Sequence, residues 1–124
     1  MRGATLSAAG FAAALFVLAS SAPAFAGYGA LAFDESSRKY GLSSNEDTQG
    51  KADDVAMKEC GSDKCKIVFR TVARQCGAIA MAETGTGWGG AKRTNRAAVE
   101  LAAIQDCQKH TKGQCKVKSA ECNR

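Results

Sequence analysis

Tyr28-Gly29-Ala30-Leu31-Ala32 and Cys76-Gly77-Ala78-Ile79-Ala80 are two versions of one phrase, and together they decide how the chain is organised. Working outward, Tyr40-Gly41 is answered by Trp88-Gly89 at the same offset. Val55-Ala56-Met57-Lys58-Glu59-Cys60 matches Ala102-Ala103-Ile104-Gln105-Asp106-Cys107, and Cys65-Lys66-Ile67-Val68 matches Cys115-Lys116-Val117-Lys118. The offset drifts slightly, and only where loops absorb it. Ordered matches of this kind mark an internal repeat, with copies at about 28–73 and 76–122.

Both copies follow one local pattern. A short apolar segment (28–33, 76–82) alternates large and small residues, which predicts a strand. A turn-prone stretch follows, 34–39 in one copy and 84–87 in the other, and the aromatic-glycine segment reads as the return strand of a hairpin. Thr48 and Asn95 are helix N-caps at equivalent positions. Behind them Ala52, Val55, Ala56 and Cys60, and in the second copy Ala98, Leu101, Ala102 and Gln105 with Val99 and Ile104 beside them, recur at helical spacing. Each copy ends in a strand, 66–72 and 116–122. The expected fold is α+β: two pseudo-symmetric β-β-α-β repeats forming one small disulfide-stapled domain with antiparallel sheet.

Six cysteines in a short chain read as a disulfide framework in an oxidising compartment. A zinc site fits poorly, because there is no Cys-x-x-Cys pair and His110 is the single histidine. The repeat restricts the pairing. Cys60 and Cys65 close the helix-to-strand loop of the first copy, and Cys107 and Cys115 hold the same places in the second. Cys76 and Cys122 remain, giving an expected map of Cys60–Cys65, Cys107–Cys115 and Cys76–Cys122.

Upstream of the repeat, Arg2, an apolar run from Ala8 to Ala19 and Ala24-Phe25-Ala26 are the three parts of a secretory signal. The run is well short of the roughly 20 residues that span a bilayer, and no cysteine follows the cleavage point to carry a lipid. The expected organisation is a signal peptide at 1–26, cleaved after Ala26, and a single domain at 27–124. The expected location is secreted or periplasmic, with no transmembrane segment in the mature chain.

The sequence resembles the bacterial domain-of-unknown-function 4189 family of small exported proteins. The resemblance rests on the Tyr28-Gly-Ala-Leu-Ala opening, the Ala-rich helices running into Cys60 and Cys107, the Cys76-Gly-Ala-Ile-Ala restart and Gly87-Trp88-Gly89. It implies an envelope or secreted location and a doubled α+β domain, and it transfers no catalytic residue. This chain departs from the family in its last strand, where Lys116, Lys118, Ser119 and Glu121 suit a sheet edge, since charge there discourages unwanted pairing.

No combination of side chains predicts catalysis or a cofactor, and the chain is expected not to be an enzyme. Gly85-Thr-Gly-Trp-Gly-Gly90 has the spacing of a nucleotide-binding loop, but that reading needs a helix directly after the glycines. Here they read as a hairpin turn. His110 lies in a polar loop between two cysteines expected to be bonded, with no evident nucleophile beside it. Glu46-Asp47 and Asp53-Asp54 read as solvated surface, the first pair near a helix N-terminus. Trp88 shares its repeat position with Tyr40, which favours packing over an exposed contact role.

Charge is the strongest functional clue. Residues 27–75 carry eight Lys/Arg and eight Asp/Glu, whereas residues 76–124 carry eight against four, a net of +4. Lys92, Arg93 and Arg96 cluster where the second hairpin meets its helix. With Trp88 they form the expected binding site for an anionic partner: an acidic protein, a glycan, a membrane surface or free nucleic acid. The leading expectation is an exported, non-enzymatic binding module. The alternatives are an inhibitor of an envelope enzyme or toxin, presenting the 107–115 loop, and a small envelope hydrolase using His110.

Overall fold

The computed structural model describes residues 27–124, so the expected signal peptide lies outside the described residues. The elements are β1 (Tyr28–Phe33), β2 (Tyr40–Glu46), α1 (Gln49–Cys60), β3 (Lys66–Thr71), β4 (Cys76–Ala82), β5 (Trp88–Arg93), α2 (Arg96–Gln108) and β6 (Cys115–Cys122). The β-β-α-β unit is made twice. Each copy folds into a three-stranded antiparallel sheet with its first strand in the middle, in the orders β2-β1-β3 and β5-β4-β6.

The alternation of large and small residues explains how these units combine. Along a strand, successive side chains face opposite sides of the sheet. In β1 the small residues, Ala30 and Ala32, face α1 and pack with Ala52, Ala56 and Cys60. In β4, Ala78, Ala80 and Ala82 face α2 and pack with Val99, Ala103 and Cys107. The large residues point the other way. Leu31, Phe33 and Leu42 meet Ile79 and Met81 between the two sheets, with Tyr40, Phe69 and Trp88 at the borders. The layers therefore run helix, sheet, sheet, helix, and both central strands are buried on both faces.

Small residues allow close approach. Glycine stands at 41 and 89 because a side chain there would overlap helix backbone, the Ala56 carbonyl in one copy and the Cys107 amide in the other. Both helices start as the sequence predicts. Thr48 Oγ1 accepts from the Lys51 amide at 3.1 Å and Asn95 Oδ1 from the Ala98 amide at 2.8 Å. The buried stripe of α2 differs from the expected one: it is Val99, Ala102, Ala103 and Cys107, while Leu101 is 56% exposed.

The last strand of each copy carries the same irregularity. Against β1, Leu31 pairs with Phe69 and Ala32 with Ile67, so Val68 is an extra residue. Against β4, Ile79 pairs with Ser119 and Ala80 with Val117, so Lys118 is extra. Such a bulge switches which side of the sheet the residues beyond it face. It sends Ile67 toward α1 while Phe69 enters the inter-sheet core. β6 is an edge strand, with Lys116, Lys118 and Glu121 exposed.

Three disulfides join Cys60 to Cys65, Cys107 to Cys115 and Cys76 to Cys122. The last links directly opposed residues of β4 and β6. The first copy has Tyr28 and Val72 at the equivalent places, both exposed.

Candidate functional site

The two sheets meet unequally along their margins. On the β2/β6 side, the Tyr40 hydroxyl donates to the Lys118 carbonyl at 3.4 Å. The Asn45 amide donates to Asn123 Oδ1 and the Arg124 amide to Asn45 Oδ1, each at 2.8 Å. Asn123 is buried and donates from Nδ2 to Thr71 Oγ1 at 2.8 Å and to the Val72 carbonyl at 3.0 Å. Asn45 sits at a register shift in β2 with φ of 56°, a left-handed conformation that asparagine tolerates. Among the described residues, no hydrogen bond joins β3 to β5 on the other side. There Phe69 covers Gly77 and Gly90, and beside it opens a cleft of about 460 Å³. Its walls are Phe69, the β5 segment Gly90–Arg93, and Gln105, Asp106 and Lys109 of α2 and its C-cap.

This cleft holds part of the expected basic cluster and divides the rest. Lys92 and Arg93 are exposed on its rim. Arg96 is not a rim residue. Its Nη1 donates to the Ala120 carbonyl at 2.8 Å and lies 3.8 Å from Glu100, so it ties the start of α2 to β6. The third rim cation is Lys109, brought back to the strand by the length of the helix. Among the described residues no carboxylate forms an ion pair with Lys92, Arg93 or Lys109, and Asp106 instead accepts the Gly90 amide at 3.1 Å.

Trp88 has a packing role. It is half-buried, with its ring centroid 4.3 Å from that of Phe33 at an interplanar angle of 36°. Its remaining surface separates two further clefts. The larger, about 680 Å³, has Phe33, Val68 and Trp88 as its apolar part and Glu35, Asp63, Lys64 and Lys66 around them. The smaller, about 490 Å³, contains Glu35, Thr86, Asp106 and His110. His110 Nε2 stands 4.0 Å from Asp106 Oδ1, one helical turn away. No serine or cysteine lines that cleft, and Thr86 supplies its one hydroxyl nucleophile.

The other acidic residues hold the fold. Asp34 is buried where β1 ends and accepts from the Ser36, Ser37 and Ser62 hydroxyls at 2.7, 2.7 and 2.6 Å, and from the Ser36 amide at 2.9 Å. The serine hydroxyls, Ser62 foremost, hold its carboxyl well below the ordinary carboxylate range. Asp53 is not free surface, contrary to the expectation. Arg70 grips it through two nitrogens, at 2.8 and 3.1 Å, and lowers its pKa. Asp54 is exposed, and Asp47 pairs with Lys51 at 3.7 Å. The glycine-rich stretch is a hairpin. Gly85 has φ of 85°, β5 follows it, and α2 starts only at Arg96, so it has no phosphate-binding geometry.

A family model described as a domain of unknown function, DUF4189, matches residues 28–122. The chain belongs to this family. Among solved structures it is similar to the NMR structure of Rv1813c from Mycobacterium tuberculosis, with 28% identity and a TM-score of 0.60, over 82% of this chain and 78% of that one. Comparison with curated proteins gives no match. In this DUF4189 chain the three disulfides suit an oxidising, extracellular environment. Among the described residues no helix is long and apolar enough to cross a membrane.

Proposed function

We propose that this chain is an exported, non-enzymatic binding module whose partner is anionic and docks at the cleft between β5 and α2. The observation that carries the reading is the gathering of Lys92, Arg93 and Lys109 around one open cleft, with no ion-paired carboxylate among the described residues. Unpaired cations around a concave surface focus positive potential and raise the local concentration of anions. Plain solubility accounts for scattered charge but not for this convergence. The leader expected from the sequence and the three cross-links fit a module that works outside the cytoplasm.

The test uses defined anions: polyglutamate, vesicles rich in phosphatidylglycerol, a sulfated glycan and single-stranded DNA. The native protein is compared with Lys92→Glu/Arg93→Glu/Lys109→Glu and with a control of equal net charge, Lys58→Glu/Lys116→Glu/Lys118→Glu. One class of anion is expected to lose about tenfold or more in affinity with the cleft variant and little with the control. Equal losses in both variants reduce the effect to net charge and end the reading.

A hydrolase is the second reading, favoured by the approach of His110 to Asp106. It is the weaker one, because Asp106 is already engaged by the Gly90 amide and the cleft has no serine or cysteine.

A further inference from the structure

We infer that the anionic partner is an extended acidic segment of polypeptide, which adds as a strand to the free edge of β5. This rests on the proposed cleft and goes further in naming the kind of partner and its mode of binding.

The backbone of β5 is arranged to accept such a strand. Its register with β4 runs without a shift from Cys76–Arg93 to Met81–Trp88, so its backbone groups alternate strictly between β4 and the outer edge. The Gly90 amide donates to Asp106 Oδ2 and therefore points outward. Lys92, two residues on, presents its backbone on the same side. Its carbonyl is met at 2.6 Å only by the guanidinium of the adjacent Arg93, and among the described residues its amide has no acceptor. A carboxylate thus stands where a neighbouring strand's carbonyl would sit, and a guanidinium where its amide would. Both are exposed or half-exposed side chains that an incoming backbone can displace.

The walls of the cleft set what the added strand must carry. Alternation in β5 sends Gly90 and Lys92 toward Phe69, and Ala91 and Arg93 toward α2. The side chains of an added strand alternate likewise. On one side they meet the Phe69 ring with Lys92 at its margin, which suits apolar residues and leaves room for an acidic one at the end. On the other they meet Arg93 and Lys109 beside the single carboxylate of Asp106, which the Gly90 amide already engages, so the wall suits Asp or Glu. Strand addition uses main-chain hydrogen bonds for affinity and alternate side chains for specificity. A glycan or a nucleic acid brings charge but no alternating amides and carbonyls to match this edge. The β2/β6 margin is instead tied across the sheets by bonds from Tyr40 and Asn45.

The same two side chains would also serve to blunt the edge against unwanted pairing, and the experiment separates these roles. ¹⁵N-labelled, disulfide-bonded protein is titrated with a capped peptide of alternating valine and glutamate. Parallel titrations use the same peptide methylated on alternate backbone nitrogens, and polyphosphate. The expected result is protection of the Lys92 amide from hydrogen exchange, and about tenfold or more weaker binding of the methylated peptide. Phe69→Ala weakens the native peptide but not polyphosphate. If both peptides and polyphosphate bind alike and lose affinity together in Lys92→Glu/Arg93→Glu, strand addition is overturned while the anionic cleft stands. If no probe binds, both readings fall.

Discussion

Gly89 shows how little room single positions leave in this molecule. A methyl group there meets the Cys107 amide and the Ala103 carbonyl, helix backbone that cannot turn aside. Gly89→Ala should therefore push α2 off its sheet and cost about 3 kcal/mol or more in denaturant unfolding. Gly50→Ala is the control, since its new methyl lies 3.9 Å from the nearest atom. Asp34 supplies a pH-dependent case. Its folded pKa is lowered, so its contribution is fully present above the unfolded carboxylate value, about 4. It is lost as pH falls below that toward the folded value. Thermal melts of native protein and Asp34→Asn should differ at pH 6 and converge as the solution is acidified; a constant gap would contradict this. The two caps, Thr48 and Asn95, are legible in the sequence because a cap acts within its own turn. The Asp34 cluster is not, because Ser62 arrives from a loop beyond α1.

At the scale of elements, the strands and hairpins can be read closely because period-two patterning and turn residues are local signals. The face of α2 departs from its hydropathy for a physical reason. Hydropathy favours Leu101, but the sheet beneath is Ala and Gly, and a helix lying that close has space for Ala103 and not for leucine. The cleft is half legible. Lys92 and Arg93 are adjacent in sequence, whereas Lys109 joins them only because α2 runs back along β5. The cross-links should differ in worth. On the chain-entropy model the Cys76–Cys122 bond, with a separation of 46, contributes about 4 kcal/mol, against about 2–3 for the bonds with separations of 5 and 8. Among pairwise cysteine-to-alanine variants compared by urea titration, loss of Cys76–Cys122 should cost most and loss of Cys60–Cys65 least. The order fails if the Cys60–Cys65 pair proves the most costly.

The whole molecule is two half-sandwiches that complete each other. Leu31 and Ile79 are fully buried, and each large-residue face is covered by the opposite copy. Arg38 reaches from the first hairpin turn to the Gly85, Ala82 and Gly87 carbonyls of the second. Its left-handed φ of 62° is sustained by those bonds. Every disulfide, however, lies within one copy. The peptide link through Val72–Gln75 is the only covalent path between the halves, and Val72, Ala73 and Arg74 are exposed. A trypsin-like cut after Arg74 thus converts one molecule into two, each still internally cross-linked. Refolding of the nicked protein becomes a second-order reaction, and its melting temperature should fall on dilution, as mass action requires of a dissociable complex. The intact chain should show no such dependence. Susceptibility to a single cut is thereby built into a fold that its cysteines otherwise protect, and separation of the two halves can begin at one bond.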